Sequence, residues 1–142
     1  MYTSQQDLEA ALTPELVEQS ADDGTGQLDP AIVAAVCERA TSLCDSYLAG
    51  RYVVPLAPVP SVVVAHATAI AAYLLLSRRG FVPKEEDAPI ERLYRDALKW
   101  LADVAAGRAH VPGLAQGPSA PSKGVAAASR PQVFTSELLD RY

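Results

Sequence analysis

Residues 45–60 read Asp-Ser-Tyr-Leu-Ala-Gly-Arg-Tyr-Val-Val-Pro-Leu-Ala-Pro-Val-Pro, and they end one structural regime and begin another. Gly50 supplies the residue that most often closes a helix, and Pro55, Pro58 and Pro60 then fall within six residues. Each proline biases the residue before it toward extended backbone. The stretch therefore predicts a helix stop followed by a stiff extended connector. Its apolar members Tyr52, Val53, Val54, Leu56 and Val59 are too many for a solvated loop. The connector is thus expected to lie against the body or against another subunit.

Upstream of the stop, Asp29-Pro30 combines a helix cap with a proline at the first helical position and opens a helix running to about Ala49. Ile32, Val33, Val36, Cys37, Ala40, Leu43, Cys44, Tyr47 and Leu48 give it a wide apolar stripe, with Glu38 and Arg39 at the rim. Ala21 to Gln27, with Asp22-Asp23-Gly24 and Gly26, reads as a loop. Thr13-Pro14 repeats the cap signal for a short helix to Ser20, and Thr3 and Ser4 offer a weaker one for a helix through Leu12.

Downstream, Ser61 to Ser77 is uncharged and ends against Arg78 and Arg79. Its length is borderline for a membrane span, but its alanines, Thr68 and His66 lower its hydrophobicity and no second apolar span follows. A core helix is expected. After a polar, acidic loop from Gly80 to Asp87, Asp87 and Pro89 begin a last helix. There Ile90, Leu93, Tyr94, Ala97, Leu98, Leu101, Val104 and Ala105 keep helical spacing, and Trp100 sits at the stripe's edge. The expected fold is mainly α, a bundle of about four to five helices with a proline-rich extended connector and a long extended C-terminal arm.

Beyond Gly107 the composition shifts to Gly, Pro, Ser and Ala, which cannot build a core. The chain therefore divides into a helical body, residues 1–107, and an arm, residues 108–142. Deletion after Gly107 is expected to leave a folded monomer. The arm ends in Val133, Phe134, Leu138, Leu139 and Tyr142, an apolar cluster that looks like a docking segment.

At 142 residues, 49% hydrophobic and 20% charged, the chain suits one folded domain. A net charge of -5 argues against a protein that wraps nucleic acid, which needs clustered Lys and Arg. Cys37 and Cys44, seven residues apart on one helix, stand roughly 10 Å apart and cannot bridge each other. With an acidic, polar start from Met1 to Glu9, a reduced cytosolic protein with two buried thiols is expected.

For catalysis, a cysteine thiolate needs a nearby base such as His66 or His110. Both thiols lie mid-helix on an apolar stripe, without a glycine-rich turn, so no enzyme is expected. The acidic runs Asp22-Asp23 and Glu85-Glu86-Asp87 are contiguous and lack the alternating spacing of a calcium loop. No metal site and no cofactor are expected. Asp45 lies in the last turns of its helix, at the negative end of the dipole, and should have a cationic partner there: Arg51 or a basic residue of an adjacent subunit. Trp100 divides evenly between core and interface, whereas Tyr94 is expected in the core.

The run from Asp45 to Leu56, with Val59-Pro60 and the alanine-rich helix after it, resembles a family of small structural proteins of Mu-like phages and prophages. Met1-Tyr2-Thr3 with Asp7-Leu8, Leu28-Asp29, and Tyr94-Arg95 with Trp100-Leu101 match it in the same order, so the likeness covers most of Met1 to Gly107. That family looks like the helical head-tail connectors, or adaptors, which form rings, typically of twelve copies, below the portal of a tailed phage. The resemblance implies a virion protein of the neck, made in the host cytoplasm, whose partners are its own copies, the portal and a downstream neck or tail-completion protein. DNA passes through the ring only as non-specific cargo, and no membrane is involved.

On that reading the tip, Val133, Phe134, Leu138, Leu139 and Tyr142, binds the portal. Asp45, Tyr47, Leu48, Arg51, Tyr52, Pro55, Leu56, Pro60 and Trp100 are the motif or subunit-interface residues. Either Asp22-Asp23 or Glu85-Glu86-Asp87 faces the channel, where acids repel phosphate and let a duplex slide. The competing expectation is a cytosolic helical interaction or regulatory module that binds its partner through the tail.

Overall fold

The computed structural model describes residues 1–80, 88–115 and 117. Among the described residues five helices follow in order: α1 Gln5–Ala11, α2 Pro14–Ser20, α3 Pro30–Leu48, α4 Ser61–Arg79 and α5 Ala88–Ala105. The fold is mainly α, and no strand occurs among the described residues. Local chemistry sets the starts. At α1, Ser4 and Asp7 form a reciprocal capping box. The Thr13 hydroxyl accepts from the Leu16 N–H at 3.2 Å, and the Asp29 carboxylate from the Ala31 N–H at 2.8 Å, each one residue before a proline.

Burial organises the helices around α4, which packs against all four others. Val63, Ala67, Ile70, Ala71, Leu75 and Leu76 lose essentially all their exposure there. Helix α3 contributes Val33, Val36, Cys37, Ala40, Cys44 and Leu48, and α5 contributes Ala97, Leu101 and Val104. Although α4 is long and apolar enough to cross a membrane, its central place in the bundle accounts for its hydropathy. Two stacked ring pairs fix its relation to α5. His66 lies on Trp100 with centroids 4.4 Å apart, and Tyr73 on Tyr94 at 4.0 Å. Rising numbers on one helix meet falling numbers on the other, so the pair is antiparallel.

The connector from Arg51 to Pro60 lies against its own body, with Tyr52 and Leu56 buried and Val54 and Val59 packed on the core. Its Val54–Pro55 and Ala57–Pro58 bonds are cis.

Two expectations need correction. Gly107, at φ +78°, ends α5 but does not end the packed chain. Val111 turns back into the core at 1% exposure, with Ala109 and Leu114 packed beside it. The boundary was misplaced because a lone apolar residue in a Pro/Gly stretch shows no period. The body reaches at least Gly117, and a cut after Gly107 removes part of the core. The second correction concerns Leu93, which belongs to the apolar stripe of α5 yet is 56% exposed because no described element covers it.

Candidate functional site

The motif from Asp45 to Leu56 spans the end of α3 and the connector, and its polar groups tie together three parts of the chain that are far apart in sequence. Tyr2 is the first tie. Its backbone N–H donates to the Thr41 hydroxyl at 2.9 Å, its phenol donates to the Asp45 carboxylate, and the same oxygen accepts from the Leu56 N–H at 2.8 Å. One buried hydroxyl thereby joins the N-terminus, α3 and the connector. Burial first, and then the neighbouring Asp45 carboxylate, pushes the Tyr2 phenol up to about 12.

Beside it, the Thr68 hydroxyl spends its one hydrogen on the Val64 carbonyl, so in the 2.8 Å pair it forms with Thr3 it is Thr3 that donates. This bond fastens the N-terminal segment to α4.

The second tie holds the chain after α5. The Tyr52 hydroxyl accepts from the Val111 N–H at 2.8 Å, and the Arg51 carbonyl accepts from the Gly117 N–H at 2.9 Å. The Arg51 guanidinium lies against Gly107, where a Cβ would meet it. Gly107→Ala is accordingly expected to lower stability by about 1–2 kcal/mol, from the left-handed backbone and from displacing Arg51. A urea midpoint equal to that of the parent chain would reject this account.

Within this chain Asp45 takes a neutral phenol as its donor and not Arg51, one of the two cationic partners that its place at a helix C-terminus predicted. The residues read as subunit interface also divide. Leu48, Tyr52 and Leu56 are buried within the protomer, so they serve its own core. Tyr47 and Trp100 are half-buried, Pro60 caps the start of α4, and Pro55 faces outward. Trp100 spends one ring face on His66, whose imidazole is pushed down by burial against the opposing pull of Asp96. Val53, 77% exposed, is the large apolar side chain that the motif leaves outside.

Of the acids read as channel-facing, Asp22 has a local task. One of its carboxylate oxygens accepts from the N–H groups of Gly24, Thr25 and Gly26 at 2.8–2.9 Å and closes the α2–α3 loop. Desolvation is the largest single influence and opposes ionisation, but the surrounding N–H donors together outweigh it and hold the carboxyl below its usual range. Asp23 is exposed, 3.9 Å from Arg78. Glu85, Glu86 and Asp87, and the tip residues Val133, Phe134, Leu138, Leu139 and Tyr142, lie outside the described residues.

No group of three His, Cys, Asp or Glu among the described residues can hold a metal ion. Both thiols are buried; burial raises Cys37, and burial with the Asp45 carboxylate raises Cys44 to about 12, which keeps both protonated at neutral pH.

The motif, then, braces a body by joining both of its ends to one connector. A family model described as Bacteriophage Mu, Gp36 matches residues 2–129. The chain belongs to that family. One relative, the Mu-like prophage FluMu protein gp36 of Haemophilus influenzae, is 36% identical over 108 residues, covering 75% of this chain and 72% of the relative. Gene product J of Escherichia phage Mu is 32% identical over 116 residues, covering 78% and 75%. The Gp36 match runs past Gly107, further than the motifs alone reach, and takes in Val111 and Gly117, which the brace holds. Tyr2 and Asp45, whose bond sequence reasoning missed, both carried the resemblance to the family as separate motif pieces.

Proposed function

We propose that this Gp36-family chain is a head-tail connector, a subunit of a ring below the portal of a tailed phage that extends the DNA channel and joins head to tail. Its membership of a Mu phage family is the observation that carries the reading. The braced body supports it, because a ring that transmits load needs protomers that keep their shape. Charge supports it too: the formal charge is about -7 before Gly107 and +2 after it. A ring of such bodies repels phosphate at its lumen. The task is mechanical, with no catalytic step. Asp23, and the acids Glu85, Glu86 and Asp87, remain the candidates for the channel wall, and the apolar tip is the portal-binding element.

The test is a phage with a stop codon early in this reading frame, viewed by electron microscopy and assayed by mass spectrometry. Filled heads and separate, complete tails are expected, with the protein detected in wild-type virions. Normal joined particles, or a protein missing from wild-type virions, would sink the proposal and favour a regulatory module that acts in the host.

A further inference from the structure

Between α1 and α5, over α4, runs an apolar groove of about 510 Å³. Ala10 and Leu12 form one wall, Ile90 and Leu93 the other, and Val64 and Ala69 belong to the floor. Asp7 is the single charged residue among the described residues of the lining. Leu93, 56% exposed, projects a full leucine side chain here, although its spacing on α5 is that of a buried position. An apolar channel of this kind on a protein otherwise rich in surface charge marks a docking surface.

The chain itself contains a matching segment. Residues 118–142 lie beyond the described body, and their large apolar side chains are concentrated in the last ten positions: Val133, Phe134, Leu138, Leu139 and Tyr142. The fifteen residues before them offer one larger apolar side chain, Val125, among Ala, Pro, Ser and Gly with Lys123, Arg130 and Gln132.

We propose that residues 133–142 dock in the α1/α4/α5 groove of their own chain when the protein is unassembled. Reach permits it. Fifteen residues span up to about 50 Å when extended, more than the roughly 35 Å across a body of this size. Tethering also favours it: a tether of fifteen residues gives the tip an effective concentration of order millimolar at its own groove, well above that of other copies in a micromolar solution. Docking covers Leu93 and Ile90 and withholds the tip from other partners, so release of the tip is the step that frees both surfaces. This inference does not depend on the connector reading.

A cysteine pair tests it in the full-length protein. Ala65→Cys places a thiol on the groove lining, and Asp140→Cys places one in the tip while leaving its apolar residues intact; Cys37 and Cys44 are buried and do not compete. Ser42→Cys, on the groove between α3 and α5, is the control. Under mild oxidation at micromolar protein, the 65/140 pair is expected to close within the monomer at least tenfold faster than the 42/140 pair. Adding Leu138→Asp and Leu139→Asp should abolish that advantage. Equal rates for both pairs, rates insensitive to the two aspartates, or a ladder of linked copies in place of a closed monomer would each overturn the proposal.

Discussion

A chain ended after Gly107 is expected to be less stable than one ended after Gly117 by about 3–5 kcal/mol, a large part of the 5–15 kcal/mol that holds a typical domain together. The shorter chain loses Val111, a side chain with 1% exposure, whose burial is worth about 1.5–3 kcal/mol. It also loses the Val111 N–H donor to Tyr52 and the Gly117 N–H donor to Arg51, and it uncovers a tyrosine that is 4% exposed in the intact body. The Arg108–Asp103 ion pair goes too, but it is largely solvent-exposed and contributes little. Urea denaturation of the two truncated chains, followed by circular dichroism, measures the difference. Equal midpoints would mean that residues 108–117 merely rest on the body, and would return its boundary to Gly107.

That boundary shows where sequence reasoning has purchase. Helices α2 and α3 were legible to the residue at their starts, because a cap followed by proline is a local signal whose physics is complete within four residues. Most of the buried face of α5 was legible because its period persists over five turns. Val111 was not, since one apolar residue among prolines and glycines has no period and becomes core only through the position of Tyr52, 59 residues earlier. Leu93 failed in the opposite sense: its period is correct, but burial also needs a neighbour above it. Asp45 illustrates a third limit. The helix dipole implied a donor near that carboxylate, and there is one, but charge alone pointed to a cation, Arg51 or a basic residue of an adjacent subunit, whereas the donor within this chain is a neutral phenol 43 residues away.

The brace around that phenol can be tested by removing a single oxygen. Tyr2→Phe keeps the ring in its pocket, yet it leaves the buried Leu56 N–H without its acceptor and the Asp45 carboxylate without its donor. Asp45 is half-exposed and water can replace part of the loss, whereas the Leu56 N–H is buried. A cost of about 2–3 kcal/mol at neutral pH is expected.

Alkali gives an independent readout. The Tyr2 phenol is raised from 10.0 to about 12 in the fold, so the folded chain holds this proton more tightly than the unfolded chain does. Stability from this group is fully present below pH 10 and is lost as pH climbs through about 12, a change of about 2–3 kcal/mol at 1.36 kcal/mol per unit. Cys44, also raised to about 12 from 9.0, loses stability in the same direction and does so in both proteins. Stability measured by urea denaturation from pH 8 to 12 should therefore fall in both, and more steeply above pH 10 in the parent than in Tyr2→Phe. The two curves should converge as the parent's advantage titrates away. Curves that stay parallel across that range would show that the Tyr2 hydroxyl does not hold α3, the connector and the N-terminus together.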